Sequence, residues 1–210
     1  MVKFFQQTTT FNYSWDQVAQ GFWRRYPNPN SKHVLTEDTV ERNITSDGQL
    51  VTKRLLSKTN SIPKWAERFV QKAQVNIIEE SIVDPKTKTL TTFTRNLGYT
   101  KVLSVTEKVV YKESPENPGK TMVQRTAVFD SQVRGFSRAI CAFGYERFKK
   151  NCSKMVGGFE YVLSGMFPNN NGPVITTTTV TSKLKDAAKN ASELAKAKAA
   201  AKVPIYVKLH

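Results

Sequence analysis

The sequence predicts an α+β domain in which a curved antiparallel sheet of about seven strands is closed by a long C-terminal helix. Three observations lead to this prediction: strand-like segments follow one another with short turns between them, a short helix interrupts them early, and helical periodicity dominates a long stretch after the last strand. Sequential strands joined by short turns form an antiparallel meander, and its apolar face needs a cover. The predicted strands are residues 3–12, 32–44, 50–58, 75–83, 89–97, 102–111 and 121–130, and the covering helix is residues 135–166.

The short helix after the first strand carries an arginine on its apolar side. Ser14 and Gln17 have the spacing of a capping box, which starts a helix. Behind that cap, Arg25 continues an apolar stripe at helical spacing, formed by Trp15, Val18 and Phe22. A buried arginine keeps its charge and needs an anion. The residues leave open whether this anion is a carboxylate, a ligand or the terminal carbonyls of the helix.

The strand at residues 50–58 places two cations on one face. Because side chains alternate along a strand, Arg54 and Lys58 point to the same side as Leu50 and Leu56. This pattern is compatible with a mixed apolar and cationic binding surface. A solvent-exposed edge strand protected by charge is the alternative interpretation.

Residues 59–72 interrupt the strands with a proline and a short amphipathic segment. Ile62, Trp65 and Phe69 give this segment more apolar surface than a connecting loop needs. A loop of this length is often a lid, and a tryptophan flanked by basic residues suits a membrane interface. Simple packing of these side chains on the domain is the alternative.

The long helix also combines cations with apolar residues. Arg147 and Lys154 lie one heptad apart, in phase with Ile140 and Tyr161, so the four side chains form one stripe. The two cations are therefore candidates for the same binding surface as Arg54 and Lys58. The alternative is that they flank the buried stripe and extend outward into solvent.

Composition narrows the class of partner. The chain has 210 residues, 39% of them hydrophobic, and a formal net charge of +15, which favours a polyanionic partner such as nucleic acid, an anionic membrane or a phosphate group. No apolar run approaches the roughly 20 residues that span a bilayer.

We expect a domain at residues 1–170, a linker at 171–182 and an Ala- and Lys-rich, conditionally helical tail at 183–210.

Catalytic and metal-dependent functions are not favoured. The sequence has no glycine-rich phosphate loop, no nucleophile elbow and no His-Glu-x-x-His motif, and Glu79 and Glu80 are adjacent in a strand and so face opposite sides. Cys141 and Cys152 lie eleven residues apart in one helix, too far for a disulfide, and are expected to be buried. We therefore expect no enzyme, no cofactor and no metal.

A nucleic-acid-binding module is the alternative from a different functional class. Such modules interleave basic residues with stacking aromatics or present a recognition helix. Here the basic residues share faces with aliphatic side chains instead. This mixture fits an amphipathic ligand better than nucleic acid.

Several short motifs together resemble the PRELI/MSF1 family, and its PRELI-like branch in particular. They are Arg25-Tyr-Pro-Asn-Pro29, His33-Val-Leu35, Arg54-Leu-Leu56, Pro63-x-Trp65, Thr94-Arg-Asn96 and the long C-terminal helix, and the match spans roughly residues 1–170. The resemblance implies a fold like that of StAR-related lipid-transfer domains. It also implies transfer of phosphatidic acid between mitochondrial membranes for cardiolipin synthesis, or of phosphatidylserine as in a sister branch.

The same resemblance assigns a location, a partner and roles to residues. It implies a protein of the mitochondrial intermembrane space that acts with a small twin-CX9C partner on anionic membranes. Arg25 matches the family's head-group arginine with His33 near it, Lys58, Arg147 and Lys154 match the entrance cations, and residues 58–71 match the mobile lid. Ser61 stands where relatives carry a basic residue at the entrance.

Overall fold

The computed structural model describes residues 2–59, 64, 67, 70, 74–168 and the backbone of 176–179. Eight strands form a single antiparallel sheet in the order β2-β3-β4-β5-β6-β7-β1-β8. The strands are β1 (Val2–Phe11), β2 (Val34–Ile44), β3 (Leu50–Thr59), β4 (Gln74–Asp84), β5 (Thr89–Asn96), β6 (Ser104–Glu113), β7 (Thr121–Asp130) and β8 (Thr176–Thr179). The helices are α1 (Trp15–Phe22), a short 3₁₀ helix (Pro29–Ser31) and α2 (Ser137–Met166).

The predicted meander and its covering helix are confirmed. Strands β2 to β7 pair each with the next in the chain, and β1 then pairs with β7. Helix α2 has 30 residues, which at about 1.5 Å per residue makes it about 45 Å long. It packs across β1 and β7 and also contacts α1.

Strand β1 shows how side-chain alternation builds the core. Its buried residues are Phe5, Gln7, Thr9 and Phe11, so every second side chain faces the interior. Phe5 packs edge-to-face with Tyr145 and Phe148 of α2, and Phe11 does the same with Phe159. Two hydrophobic clusters result, one under each half of the long helix.

The capping box at the start of α1 is confirmed, but the helix is shorter than predicted. The Gln17 amide donates to Ser14 Oγ at 3.3 Å, and the Ser14 amide donates to Gln17 Oε1 at 2.9 Å. The helix ends at Phe22, where the amides of Trp23 and Arg24 bond three residues back and tighten the last turn. Arg25 therefore lies in the loop after the helix and not on its stripe.

Two other sequence interpretations change. Strand β3 pairs with both β2 and β4, so the edge-strand interpretation of residues 50–58 is wrong, and β2 occupies the edge instead. Four residues of the expected linker form β8, which pairs with β1. Both cysteines are buried and neither forms a disulfide, as expected. The tail at 183–210 lies outside the described residues.

Gly21 permits the close contact between α1 and α2, and we expect an alanine there to destabilise the fold. An added Cβ would lie 2.5 Å from Leu163 Cδ2 and 3.2 Å from Phe159 Cε2, both in the core. Overpacking of this kind costs about 1–3 kcal/mol of unfolding free energy. Urea denaturation of Gly21→Ala measures the loss.

Gly165→Ala is the matched control for this substitution. Gly165 lies in α2, and a methyl group added to its Cα would have no atom within 4 Å. The substitution should therefore be neutral or stabilise the fold by up to about 1 kcal/mol. Equal unfolding midpoints for the two variants would contradict the close-packing argument.

Candidate functional site

The loop between α1 and β2 carries Arg25 and is fixed by Asn28. The Asn28 side-chain amide donates to the Arg25 carbonyl at 2.6 Å, and its Oδ1 accepts from the Asn30 amide at 3.0 Å. Asn28 also packs directly on Gly158 of α2, where a side chain would collide with it. The position of Arg25 is therefore set jointly by the loop and the long helix.

Arg25 and Arg54 share one buried carboxylate. Both guanidinium groups bond to Glu79 of β4, Arg25 at one carboxylate oxygen and Arg54 at the other. Arg54 is 2% exposed and also pairs with Glu37 Oε1 at 2.9 Å. Burial opposes ionisation of Glu79, but the two arginines outweigh it and lower the Glu79 pKa. Three strands and the α1 loop are thus joined by one ionic network.

Aromatic rings hold the two guanidinium groups in place. The Arg25 guanidinium carbon lies 4.1 Å from the Phe22 ring centroid and 5.0 Å from that of Tyr26. Arg54 lies 4.8 Å from the Phe22 centroid and 5.1 Å from that of Trp23. Such cation–π contacts gain strength when the cation is removed from water. Phe22 therefore contacts both cations of the network.

A cavity of about 110 Å³ lies between the sheet and α2 beside this network. Its wall combines ionisable groups with apolar side chains. The ionisable ones include Arg25, His33, Lys58, Glu79, Glu107 and Arg125, and the apolar ones are Val34, Leu56, Ile77, Val109, Met155 and Phe159. The cavity can therefore accommodate a charged group beside hydrocarbon.

Positive charge surrounds His33 at one side of the cavity. Burial is the main cause of the lowered His33 pKa, and Lys58, Lys154 and Arg147 lower it further. Burial likewise lowers the pKa of Lys58, with Glu107 opposing and Arg147 adding to the shift. His33, Lys58, Arg147 and Lys154 are thus close enough to interact electrostatically. An anion bound among them would relieve the repulsion between their positive charges.

A second buried ion pair on the cavity wall was not predicted. Arg125 Nε of β7 lies 2.7 Å from Glu107 Oε1 of β6, although the two are not aligned as a hydrogen bond. Arg125 also lines a smaller adjoining cavity of about 20 Å³. The sequence did contain a signal, because Arg125 is in phase with the buried Val123 and Ala127.

The structure brings only some of the predicted site residues together. Arg25, His33 and Lys58 line the cavity. Arg54 lies behind the wall and reaches it through Glu79, while Arg147 and Lys154 stand near His33 without lining the cavity. Ile62, Trp65 and Phe69, together with Ser61, lie outside the described residues.

The described part of the chain holds neither a metal-binding cluster nor a membrane-spanning helix. Within residues 2–59, 64, 67, 70 and 74–168, no three His, Cys, Asp or Glu side chains are grouped closely enough to hold a metal ion. In the same ranges, neither α1 nor α2 combines the length and the apolarity that a bilayer crossing requires.

Comparison with known sequences gives one consistent family. The model of the PRELI-like family matches residues 16–170. The chain is 52% identical over 155 residues to "PRELI domain-containing protein 1, mitochondrial" of Gallus gallus, covering 72% of each chain. It is 47% identical to the Homo sapiens protein of that name, covering 78% of this chain and 76% of the relative. "Protein UPS1, mitochondrial" of Saccharomyces cerevisiae is 32% identical, with coverage of 78% and 94%.

Comparison with solved structures identifies the fold. TTHA0849 from Thermus thermophilus superposes with a TM-score of 0.54 at 12% identity, covering 79% of this chain and 99% of that one. The Zhui aromatase/cyclase from Streptomyces sp. R1128 gives 0.54 at 10% identity, covering 82% and 100%. At these identities the likeness concerns the fold alone, a curved sheet gripping a long C-terminal helix like that of StAR-related lipid-transfer domains.

We expect Glu79→Gln to destabilise the protein, because it leaves the buried Arg54 and the largely buried Arg25 with one carboxylate fewer. Breaking a buried ion pair from one side costs about 3–5 kcal/mol of unfolding free energy. Glu80→Gln is the matched control: Glu80 lies on the opposite face, with Oε1 3.6 Å from Lys53 Nζ, and should cost under about 1 kcal/mol. Urea denaturation at neutral pH compares them.

The same pair of variants has a distinctive pH dependence. Because the folded-state pKa of Glu79 is lowered, its contribution is complete above its unfolded pKa of about 4.3 and is lost as pH falls through the folded value. The stability gap between wild type and Glu79→Gln should therefore narrow in acid. A gap that stays constant down to pH about 3 would show that ionised Glu79 does not stabilise the fold.

Proposed function

This chain belongs to the PRELI-like family, and we propose that it transfers phosphatidic acid between mitochondrial membranes and so supports cardiolipin synthesis. The observation that carries the proposal is the cavity wall, on which Arg25, Lys58 and His33 stand beside aliphatic and aromatic side chains. An amphipathic ligand with one phosphate satisfies both parts of this wall. The relatives' names place those proteins in mitochondria, which supports the same location for this one.

The arrangement of the wall suggests how the lipid is oriented. The phosphate lies among Arg25, His33 and Lys58, where charge-assisted hydrogen bonds hold it. The acyl chains follow the apolar wall, which includes Leu56, Ile77 and Phe159. The cavity is smaller than the roughly 300–1,000 Å³ of sites for drug-sized ligands, so the described elements must separate to admit both chains.

The internal carboxylates keep the grip on the phosphate moderate. Arg25 is already bonded to Glu79, so a phosphate competes for its donors and does not meet a bare cation. Several shared contacts of this kind allow a carrier to release its cargo, whereas one deep unpaired clamp would retain it. The lowered pKa of Glu79 also makes this carboxylate a poor general base near neutral pH. This supports a carrier better than an enzyme that uses Glu79 for proton transfer.

The proposed setting includes a membrane and a protein partner. We place the protein in the intermembrane space, bound peripherally to anionic membranes through basic residues and through the segment at 58–71. A small twin-CX9C protein is the proposed heterodimer partner. The family resemblance in the sequence supports both assignments, and the net charge of +15 supports the anionic membrane.

We expect Arg25→Ala to reduce transfer of phosphatidic acid between liposomes by tenfold or more. A hydrogen bond to a charged group contributes about 1.5–3 kcal/mol, which corresponds to roughly 10- to 150-fold. The fold should persist, because Arg54 remains bonded to Glu79. Arg24→Ala is the matched control, since Arg24 is the exposed neighbour and should transfer at the wild-type rate.

Normal transfer by a folded Arg25→Ala variant would remove Arg25 from the binding site. The same assay, run with equal amounts of phosphatidic acid and phosphatidylserine, tests the cargo. Preferential transfer of phosphatidylserine would assign the protein to that lipid within the same fold.

We expect lipid binding to raise the pKa of His33. In the free protein, burial and the cations Lys58, Lys154 and Arg147 keep this pKa below its usual value of about 6.5, so the ring is neutral at pH 7. A phosphate among these groups favours the imidazolium form, and the pKa must move upward. NMR titration of the imidazole signals, with and without bound phosphatidic acid, measures the shift, and His33→Gln identifies the signal. An unchanged pKa with lipid bound would place the phosphate elsewhere.

A further inference from the structure

Two loops and the start of α2 form one continuous surface at one end of the sheet. β5 ends at Asn96, beside the start of β4, and β6 begins at Ser104, opposite the last residue of β7. The connecting loops at 97–103 and 131–136 bond to each other, with the Gln132 amide donating to the Lys101 carbonyl at 2.9 Å. Leu103 packs against Gly144 of α2. We call residues 97–103 and 131–144 the basic end.

The basic end exposes large hydrophobic side chains. Leu97 is 47% exposed, Phe136 42% and Phe143 37%. Val2, at the adjoining start of β1, is 46% exposed. These are four of the eight large hydrophobic residues that are exposed in the described part of the chain. Exposed apolar residues concentrated on one surface indicate an interaction site.

The charge of this surface is of one sign. Residues 97–103 and 131–144 contain Lys101, Arg134 and Arg138, all exposed, and no Asp or Glu. The turns at the opposite end of the sheet carry both signs, with Asp16, Asp47, Asp84, Glu113 and Glu116 beside Lys86, Lys88, Lys112 and Lys120. The surface that matches the basic end is therefore anionic and has an apolar interior, as an acidic phospholipid bilayer does.

The basic end also faces the same way as the cationic side of the cavity. Lys58 stands near the end of β3, paired with Val75 at the start of β4, and the β4 start is bonded to Leu97 through the Asn76 carbonyl at 2.9 Å. Arg147 follows Phe143 by about one turn of α2. A membrane held at the basic end therefore presents its lipid phosphates close to Lys58 and Arg147.

We propose that the basic end is a docking surface for anionic phospholipid bilayers. Leu97, Phe136 and Phe143 enter the interface between head groups and acyl chains, and Lys101, Arg134 and Arg138 contact lipid phosphates. This docking rests on the proposed carrier function and specifies a surface through which the carrier contacts the membrane. It adds a membrane contact outside the segment at 58–71, built on the sheet and the long helix.

The test measures binding of the full chain to phosphatidylcholine vesicles with and without phosphatidic acid, by flotation. Two variants alter the surface: Arg134→Ala/Arg138→Ala removes charge, and Phe136→Ser/Phe143→Ser removes apolar area. The charge variant should bind anionic vesicles about 30-fold more weakly at low salt, at about 1 kcal/mol for each arginine removed, and the apolar variant should also lose binding. Matched controls at other positions are Lys86→Ala/Lys112→Ala near the opposite end and Val40→Ser/Ile44→Ser on the exposed edge strand.

Each result decides the proposal. Loss of vesicle binding in both surface variants, with wild-type binding in both controls and unchanged urea midpoints, supports the docking surface. Wild-type binding by either surface variant, or equal loss in the controls, overturns it. Binding of the wild type to single-stranded nucleic acid through Arg134 and Arg138, without vesicle binding, also overturns it.

Lipid carriage is scored separately, by native mass spectrometry of co-purified phospholipid. If surface variants fail on vesicles while the purified wild type carries no phospholipid, the docking surface stands and the carrier function fails. If the wild type carries phospholipid and the variants bind vesicles normally, the carrier function stands and the docking surface fails.

Discussion

The bond network of Arg25, Glu79 and Arg54 is the constraint on which the site depends. Taking an ion out of water costs several kcal/mol, so the buried Arg54 and the largely buried Arg25 require nearby carboxylates. Glu79 supplies one to both arginines, and Glu37 supplies a second to Arg54. The three residues other than Arg25 come from neighbouring strands β2, β3 and β4, so these three strands must pair for the network to be complete. The α1 loop is thereby fastened to the sheet, and the cavity acquires a fixed wall.

The network also explains why a cavity lined by charged residues need not bind an anion very tightly. Its ionisable wall residues include two carboxylates, each beside an arginine. In the proposed carrier, a phosphate that enters would exchange with an existing partner instead of filling an empty charge site. His33 and Lys58 contribute differently, because burial and mutual repulsion lower their pKa values and an anion reverses that cost. In the proposed carrier, relief of this repulsion would therefore contribute to the binding free energy beside the new bonds.

Strand periodicity and helix spacing were enough to predict the sheet, its covering helix and the shared face of Arg54 and Lys58. They could not show that Arg54 would form an ion pair with Glu79, because the register of β3 against β4 is a tertiary property. The short helix ended earlier than predicted, since the composition of residues 23–26 does not reveal that the turn tightens at Phe22. Arg125 was in phase with core residues, but its burial depends on the ion pair with Glu107 of the neighbouring strand, which the sequence pattern does not show. Sequence therefore located the cations better than it located their counter-ions.

Charge is distributed along the molecule in a way that its total does not reveal. The excess of +15 is compatible with many polyanions, but the loops at 97–103 and 131–136 contain basic residues and no acidic one, whereas the turns at the opposite end of the sheet contain both signs. Such an asymmetric field orients a protein before contact, since the basic end is attracted to an anionic surface more strongly than the end of mixed charge. Lys58 of the cavity wall lies toward the attracted end. In the proposed carrier, orientation by the field would place the site where a lipid phosphate can reach it, so that long-range charge and local binding act through the same end of the fold.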